Sequence, residues 1–285
     1  MRISENRVGR DPQADRAMVR MFAGLVPVLV VMYMGAVHAA QPVDLELALA
    51  VDVSGSIDDE EAQLQRDGYV AAFRDPAVIR AIEQGMLGRI AVAYYEWAGF
   101  DRVRVIVDWT LIDDAKSAHA FAALLTLEPP RTVRRTSISS AIDFAVPFFE
   151  RNDFDGTRRV VDVSGDGANN SGDLVTHARD RAVAAGATVN GLPIINGRPG
   201  PFGWPPIENL DLYYRDCVIG GPGAFLVVAN SFEEFAEAVR RKLILEIAGV
   251  DEPAPARLIR AQLPPERIAP PCNIGELRIQ GFDDN

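Results

Sequence analysis

Histidine and cysteine are scarce in this chain of 285 residues, which holds three histidines and two cysteines. Neither residue type occurs at a metal-binding spacing, so the sequence excludes a metal site of the histidine–cysteine kind. Few histidines also means few candidates for a general base in catalysis. Beyond the N-terminal segment only His119 and His177 remain, and both fall in predicted helices.

Basic residues are fewer than acidic residues, and the formal net charge is −11. An acidic protein repels the phosphates of nucleic acids and of anionic lipids, so neither is a favoured partner. No glycine-rich loop is followed by the lysine that a phosphate-binding loop requires, and no internal repeat is visible. The hydrophobic content of 48% is that of a globular protein, and the length allows one sizeable core.

The first 39 residues predict a targeting segment outside the fold. Arg16 and Arg20 precede the apolar run Met21–Val37, and small residues follow it. This pattern is typical of a secretory signal peptide, with cleavage expected after Ala39. An uncleaved membrane anchor is the alternative, because the run approaches the length that spans a bilayer. We therefore expect a secreted or periplasmic protein.

The rest of the chain divides into a domain over residues 40–250 and a proline-rich C-terminal tail over residues 251–285. The tail has little periodicity and is predicted to be irregular. Export would place Cys217 and Cys272 in an oxidising compartment, where a disulfide bond between them would attach the tail to the domain. Two unpaired thiols are the alternative.

A near-continuous apolar run, Leu45–Val51, is typical of a central strand that is covered on both faces of a parallel sheet. Oxygen-bearing side chains follow it at every second residue: Asp52, Ser54 and Ser56. Such ligands suit a hard cation such as Mg²⁺, and the carboxyl end of a strand is where open α/β sheets usually bind ligands. A phosphate-type turn or a plain helix cap is the alternative, since Ser and Asp are good N-caps.

Strand and helix patterns alternate along the chain. Further strands are predicted over Arg89–Ala98, Val103–Trp109, Arg158–Ser164, Thr188–Ile195 and Ala224–Ala229. Helices are predicted over Asp58–Phe73, Pro76–Ile82, Asp113–Leu127, Ile138–Phe149, Ser171–Ala185, Asn209–Cys217 and Phe232–Ile247, the last capped by Ser231. The short link between the second and third strands predicts a hairpin. The order predicts an α/β fold with a Rossmann-like doubly wound sheet, mostly parallel with one antiparallel edge strand, and helices on both faces.

Two later loops carry further oxygen-bearing residues. Thr136 stands just before a predicted helix, where a role as N-cap would explain it. Asp166 follows the fourth predicted strand and is flanked by glycines that permit a tight loop. Its rival Asp162 lies inside that strand, where a buried carboxylate needs a partner such as Arg158 or Arg159. We favour Asp166 as the ligand-facing residue, because loop ends face ligands and strand interiors do not.

The pattern Asp-x-Ser-x-Ser formed by Asp52, Ser54 and Ser56 resembles the metal-ion-dependent adhesion site (MIDAS) of von Willebrand factor type A domains. In that family the two serines bind the metal directly and the aspartate usually binds it through water. A threonine and a second aspartate from later loops complete the site. The resemblance assigns these two positions to Thr136 and Asp166.

The resemblance covers roughly residues 43–249 and implies a function without enzymatic activity. It implies a divalent cation, Mg²⁺ first with Mn²⁺ or Ca²⁺ as alternatives, whose open position captures Asp or Glu of a protein partner. The phrase Val-Val-Asp-Val-Ser-Gly-Asp-Gly at residues 160–167 looks like a bacterial family of secreted von Willebrand A-like proteins with no assigned activity. The chain departs from the larger family at Arg134 and Arg135, where two glycines are common. These arginines would contact a carboxylate ligand or balance the acidic cluster.

Two other functions stay open. A metal-assisted hydrolase such as a phosphatase would use Asp52 or Ser54 as the nucleophile, with a carboxylate as the base. The third function is that of a purely structural exported domain whose metal only steadies the loops.

Overall fold

The protein is built around strand β2, Leu45–Asp52, whose eight residues are all buried. The computed structural model describes residues 40–197, 205–249 and 267–283. The predicted signal peptide over residues 1–39 and the start of the predicted tail, residues 251–266, lie outside the described residues. The burial of β2 follows from its apolar run, which can be accommodated only between two covered faces of a sheet.

Strands and helices alternate along the chain. The strands are β1 Gln41–Val43, β2, β3 Ile90–Trp97, β4 Val103–Ile112, β5 Phe154–Gly156, β6 Arg159–Gly165 and β7 Ala187–Pro193. The helices are α1 Asp59–Ala72, α2 Pro76–Glu83, α3 Ala115–Leu124, α4 Ile138–Phe149, α5 Val175–Ala184, α6 Leu210–Tyr213, α7 Phe235–Ala248 and α8 Ile274–Asp283. A π-helical turn, Tyr214–Val218, follows α6 directly.

The main sheet has five strands in the order β4-β3-β2-β6-β7. Strands β3 and β4 pair antiparallel, and the other neighbours pair parallel. Strands β1 and β5 form a separate parallel pair. The predicted Rossmann-like sheet with one antiparallel edge strand is therefore confirmed. Because β2 and β6 run side by side in the same direction, the loops that follow them meet at one edge of the sheet.

Each face of the sheet buries its own apolar core, as the doubly wound arrangement requires. Successive side chains of a strand point to opposite faces. Leu47 and Leu49 of β2 accordingly pack with Tyr69 of α1 and Phe235 of α7 on one face. Ala48 and Ala50 face the other side and pack with residues of α4 and α5. The small alanines allow these two helices to lie close to the sheet.

The predicted sixth strand, Ala224–Ala229, is not a strand within the described residues. The segment runs beside β7 but makes only isolated bridges, through Leu226 and Ala229. Two features of β7 interrupt a regular ladder: Pro193 has no amide hydrogen to donate, and the side chain of Asn190 accepts the amide hydrogen of Phe225. The five-stranded sheet therefore ends at β7.

Several helix boundaries differ from those predicted. Helix α7 begins at Phe235 rather than Phe232, and its N-cap residue Glu234 makes no side-chain cap hydrogen bond. The predicted cap Ser231 accepts the amide hydrogen of Glu234 at 3.3 Å, so it closes the turn that precedes the helix. Helix α5 begins at Val175, because the preceding carbonyl of Asp173 accepts a hydrogen bond from the Asn169 side chain.

The tail is partly regular. Residues 274–283 form helix α8, and the predicted disulfide bond between Cys217 and Cys272 is present just before it. Arg267 pairs with Asp211 on α6 at 2.5 Å, so the tail also contacts the domain on the N-terminal side of the bridge. Within the described residues, no helix combines the length and the apolar character needed to cross a membrane.

Candidate metal centre

The polar turn after β2 begins with Asp52, whose carboxylate is fully buried. Its Oδ1 accepts a hydrogen bond of 2.7 Å from the amide of Ser54, so the side chain folds back over its own turn. The side-chain amide of Gln65 on α1 donates to the backbone carbonyl of Asp52 at 3.1 Å. Ser54 also forms a β-bridge with Val133. These contacts hold the turn at the carboxyl end of the sheet.

The residues predicted from three separate motifs lie in one hydrogen-bonded chain. The hydroxyl of Thr136 lies 3.2 Å from that of Ser54, which lies 3.1 Å from the hydroxyl of Ser56. Ser56 donates to Oδ1 of Asp166 at 2.6 Å, across a sequence separation of 110 residues. Asp52 joins the chain through the amide of Ser54. All five predicted residues therefore converge, while their role as metal ligands stays a prediction.

Thr136 is positioned by its backbone and is not a helix cap. Its amide donates to the side chain of Asn170 at 2.9 Å, and its carbonyl accepts the amide hydrogen of the same residue at 2.9 Å. The N-cap of α4 is Ser137, which accepts a hydrogen bond from the amide of Ser140. The structure therefore does not support the alternative role of Thr136 as a helix cap, and its hydroxyl lies 3.2 Å from that of Ser54.

Asp166, rather than Asp162, reaches this cluster. The Asp166 side chain bonds Ser56 and also accepts a hydrogen bond of 3.2 Å from Asn196. Asp162 is buried inside β6 and lies 2.5 Å from Lys242 of α7. The predicted partners of Asp162 were therefore wrong, because a lysine from a distant helix fills that role.

The carboxylates of the cluster carry unfavourable charge in the absence of a cation. Burial, together with the negative charge of nearby Asp166, raises the pKa of Asp52 well above its usual range. Burial also raises the pKa of Asp166 to about 6, and the charge of Glu61 acts in the same direction. Burial favours the neutral form of a carboxyl group, and a second negative charge adds to this effect. A cation placed between these groups would reverse both pKa shifts.

The donor set fits a hard divalent cation. Oδ2 of Asp52 is buried and has no hydrogen-bond partner among the described residues. A buried polar atom without a partner is costly, and a cation or its bound water would satisfy it. No group of three or more histidine, cysteine, aspartate or glutamate side chains that could hold a metal occurs in the described part of the chain. A cation here would therefore depend on the hydroxyls of Ser54, Ser56 and Thr136, supported by the two aspartates.

A groove of about 470 Å³ opens beside the cluster and includes residues that sequence reasoning did not assign to the site. Asn170 and Asn196 contribute to its lining and bond Thr136 and Asp166. Arg278 of α8 also lines the groove. Of these residues, Asn170 could have been found from the sequence, because it follows the Gly-Asp-Gly motif closely. Nothing in the local pattern indicated that the tail would reach this loop.

Comparison with known proteins places the chain in a family. The family model described as "Protein of unknown function (DUF1194)" matches residues 42–251. The chain belongs to this DUF1194 family. A search of curated proteins finds no match. The matched range coincides with the α/β domain and contains every residue of the candidate metal centre.

Solved structures share the fold of this DUF1194 protein. Proximal thread matrix protein 1 from the mussel byssus has a TM-score of 0.52 at 16% identity, over 74% of this chain and 50% of that one. A form of the same mussel protein with a zinc-occupied MIDAS motif has a TM-score of 0.50 at 15% identity, with coverage of 74% and 50%. The pilus adhesin SpaC from Lactobacillus rhamnosus GG has a TM-score of 0.53 at 13% identity, over 73% of this chain and 31% of that one.

The chain spans half or less of the length of these neighbours. At such low identity the likeness concerns the fold alone. This shared α/β fold agrees with the fold that the resemblance to von Willebrand factor type A domains implies.

Proposed function

We propose that this protein is an exported, non-enzymatic binding module that holds a divalent cation and uses it to capture an acidic side chain of a protein partner. Ser54, Ser56 and Thr136 would bind the cation, and Asp52 and Asp166 would support it from just outside. Mg²⁺ is the first candidate because hydroxyl and carboxylate oxygens are its preferred ligands. The mussel neighbour with zinc in its MIDAS motif supports a divalent cation without deciding its identity.

The observation that carries the proposal is the hydrogen-bonded chain from Thr136 through Ser54 and Ser56 to Asp166. Hydroxyl ligands are neutral, so a cation that they hold keeps most of its positive charge. Such a cation supplies a Lewis-acidic position that an incoming carboxylate of a partner would fill. The adjoining groove gives that carboxylate a route to the site.

The hydrolase alternative has weaker support. The side chains of Asp52 and Ser54, its candidate nucleophiles, are fully buried. His119 on α3 and His177 on α5 are not among the described residues that line the groove. His177 is exposed and lies 3.2 Å from Asp173, an ordinary surface pair. Export is proposed from the N-terminal sequence and agrees with the disulfide bond.

Titration of the full chain with Mg²⁺ or Mn²⁺, followed by thermal unfolding, tests the cation site. A ligand that binds only the folded state stabilises it by about 2.7 kcal/mol at a concentration of about 100 times Kd. We expect the wild type to be stabilised. Asp52→Asn keeps the acceptor for the Ser54 amide but removes the buried charge. This variant should be at least as stable as the wild type in EDTA and should bind metal about 10–100-fold more weakly.

The threonine offers a matched set of controls. Thr136→Val should lose metal binding and Thr136→Ser should retain it, because only the latter keeps the hydroxyl. Thr132→Val alters a hydroxyl on the same loop that donates to Asp59 at 3.3 Å, and it should behave as the wild type. Equal metal affinity in Asp52→Asn, Thr136→Val and the wild type would contradict the proposal.

A further inference from the structure

The groove beside the candidate metal centre has a basic rim on a protein whose net charge is −11. Arg134 and Arg135 line it from the loop before α4, and Arg278 lines it from α8. Arg278 donates to the backbone carbonyls of Pro205 and Pro206, at 2.8 and 3.4 Å, and so helps to form the groove wall. Apolar residues complete this wall: Pro205, Pro206, Ile207 and Ile279.

Arg135 has a backbone conformation that is unfavourable for its residue type. Its φ is 72°, in the left-handed region that glycine adopts readily and that a residue with a Cβ rarely adopts. The neighbouring backbone imposes this path. The amide of Ser137 donates to the carbonyl of Ala98 at 2.7 Å. Gly99 packs so closely on the loop that a Cβ there would lie 2.9 Å from the carbonyl oxygen of Arg134.

Contacts of the Arg135 side chain with the described residues do not offset the cost of this backbone conformation. The side chain is exposed, and among the described residues it makes no hydrogen bond and no ion pair. A glycine would satisfy the same backbone without strain. An arginine at this position is therefore explained better by a contact with something outside the chain than by the fold.

We propose that Arg135 binds a second anionic group of the partner, beside the carboxylate that the cation captures. The occupant of the groove is an extended acidic peptide segment with two carboxylates, and its main chain lies along the apolar wall. A guanidinium group binds a carboxylate with two parallel hydrogen bonds, which gives direction as well as charge. The acidic surface elsewhere disfavours such a peptide, so the arginine rim marks where it can approach. This inference rests on the proposed function and names its class of partner.

A peptide panel tests the inference with the full chain in Mg²⁺ or in EDTA. The reference probe is an uncharged glycine–serine peptide with a single aspartate, and its relatives carry a second aspartate at successive positions after the first. We expect the best two-aspartate peptide to bind the wild type about tenfold more tightly than the reference, a difference of about 1.4 kcal/mol. Both should bind in Mg²⁺ and not in EDTA.

Two variants separate charge from backbone strain. Arg135→Gln removes the charge and keeps the unfavourable φ, whereas Arg135→Gly removes both. In each, the preference for the second aspartate should disappear while the reference peptide binds as before. Arg135→Gly should also raise the melting temperature, by about 2–4 °C. Arg131→Gln, an exposed arginine of the same loop that does not line the groove, should retain the preference.

The outcomes separate this inference from the proposed function. Suppose that the reference peptide binds in Mg²⁺ but a second aspartate does not increase the affinity, or increases it equally in the wild type and in Arg135→Gln. The inference is then wrong and the proposed function stands. If Arg135→Gly lowers the melting temperature, then Arg135 is kept for the fold and the inference is also wrong. If no peptide binds the wild type in Mg²⁺, then the proposed function fails together with the inference.

Discussion

Gly165 lies beside two buried polar groups, the Asp52 carboxylate of the candidate metal centre and the Tyr214 hydroxyl. A Cβ at this position would lie 2.7 Å from Oδ2 of Asp52 and 2.9 Å from the hydroxyl of Tyr214. Both atoms are buried without a hydrogen-bond partner among the described residues. Both side chains are completely buried, so neither can move into solvent to make room. The glycine therefore sets the position of the Asp52 carboxylate through the space that it leaves empty.

We predict that Gly165→Ala reduces the free energy of unfolding by about 1–3 kcal/mol, because the added methyl group overpacks a closed site. It should also weaken Mg²⁺ binding, since it displaces the Asp52 carboxylate. Denaturant unfolding and metal titration measure the two effects. Gly167→Ala is the matched control, because a Cβ there meets nothing closer than 3.9 Å. Equal stability of the two variants would contradict this account.

Helix α7 contributes a buried charge cluster on the core face opposite α4 and α5. Lys242 pairs with Asp162 of β6 and with Glu246, and these three side chains are almost completely buried. Asn190 of β7 donates to Glu246 at 2.9 Å. Burial, reinforced by the charge of Asp162, raises the pKa of Glu246 to about 7, against the attraction of Lys242. Lys242 is shared between two buried carboxyl groups, which favours the neutral form of one of them.

The raised pKa of Glu246 makes the stability of the fold depend on pH in a defined direction. Between the unfolded pKa near 4.5 and the folded pKa near 7, the folded state binds more protons than the unfolded state. Stability from this group therefore falls as the pH rises through that window. We predict that Glu246→Gln removes this decrease of stability with pH. Relative to the wild type, its free energy of unfolding should rise by on the order of 2 kcal/mol between pH 5 and 8.

The measurement is denaturant unfolding at several pH values. Glu237→Gln alters an exposed glutamate of the same helix, whose pKa is lowered by Arg240, and it should keep the pH profile of the wild type. Lys242→Met should be strongly destabilising in comparison, by about 3–5 kcal/mol, because it leaves buried carboxylates without their cation. A wild-type pH slope that persists in Glu246→Gln would contradict the assignment.

At the scale of the whole molecule, the disulfide bond holds the start of α8 against the domain. Cys217 and Cys272 are 55 residues apart in the sequence. Helix α8 packs closely through Gly275, where a Cβ would clash with the carbonyl oxygen of Asn169. Glu276 accepts a hydrogen bond of 2.6 Å from the Asn169 side chain. The bridge attaches the start of α8 to the π-helical turn, and the contacts of Gly275 and Glu276 attach the helix to the loop that carries Asp166.

We predict that removal of the bridge in Cys217→Ser/Cys272→Ser lowers the free energy of unfolding by up to about 4 kcal/mol, the chain-entropy value for a loop of this length. Because α8 lines the groove, peptide binding should weaken more than metal binding. Denaturant unfolding with and without reductant checks the first effect, and the double variant should be insensitive to reductant. An unchanged unfolding free energy in the reduced wild type would contradict the prediction.

Local pattern determined the parts of this protein that depend on neighbouring residues in the sequence. The apolar run of β2, the hairpin of β3 and β4, and the position of Asp166 at the end of β6 could be predicted, because strand burial and turn chemistry act over a few residues. The edge of the sheet at which the candidate site lies could be predicted as well, because parallel strands bring the loops that follow them together. These rules placed Asp52, Ser54, Ser56 and Asp166 at the carboxyl ends of predicted strands. The resemblance to von Willebrand factor type A domains added Thr136 and united the five residues in one predicted site.

Tertiary packing decided what the pattern could not. Three features depend on residues that are far apart in the sequence. They are the left-handed backbone of Arg135, the ion pair between Asp162 and Lys242, and the packing of α8 against Asn169. The same holds for Asn196, which reaches Asp166 from the loop after β7. Such contacts follow from how complete elements fill space against one another, and no short window of sequence encodes that fit. The sequence therefore determined the fold and the candidate ligands, whereas the tertiary structure decided the groove, its arginine rim and its C-terminal wall.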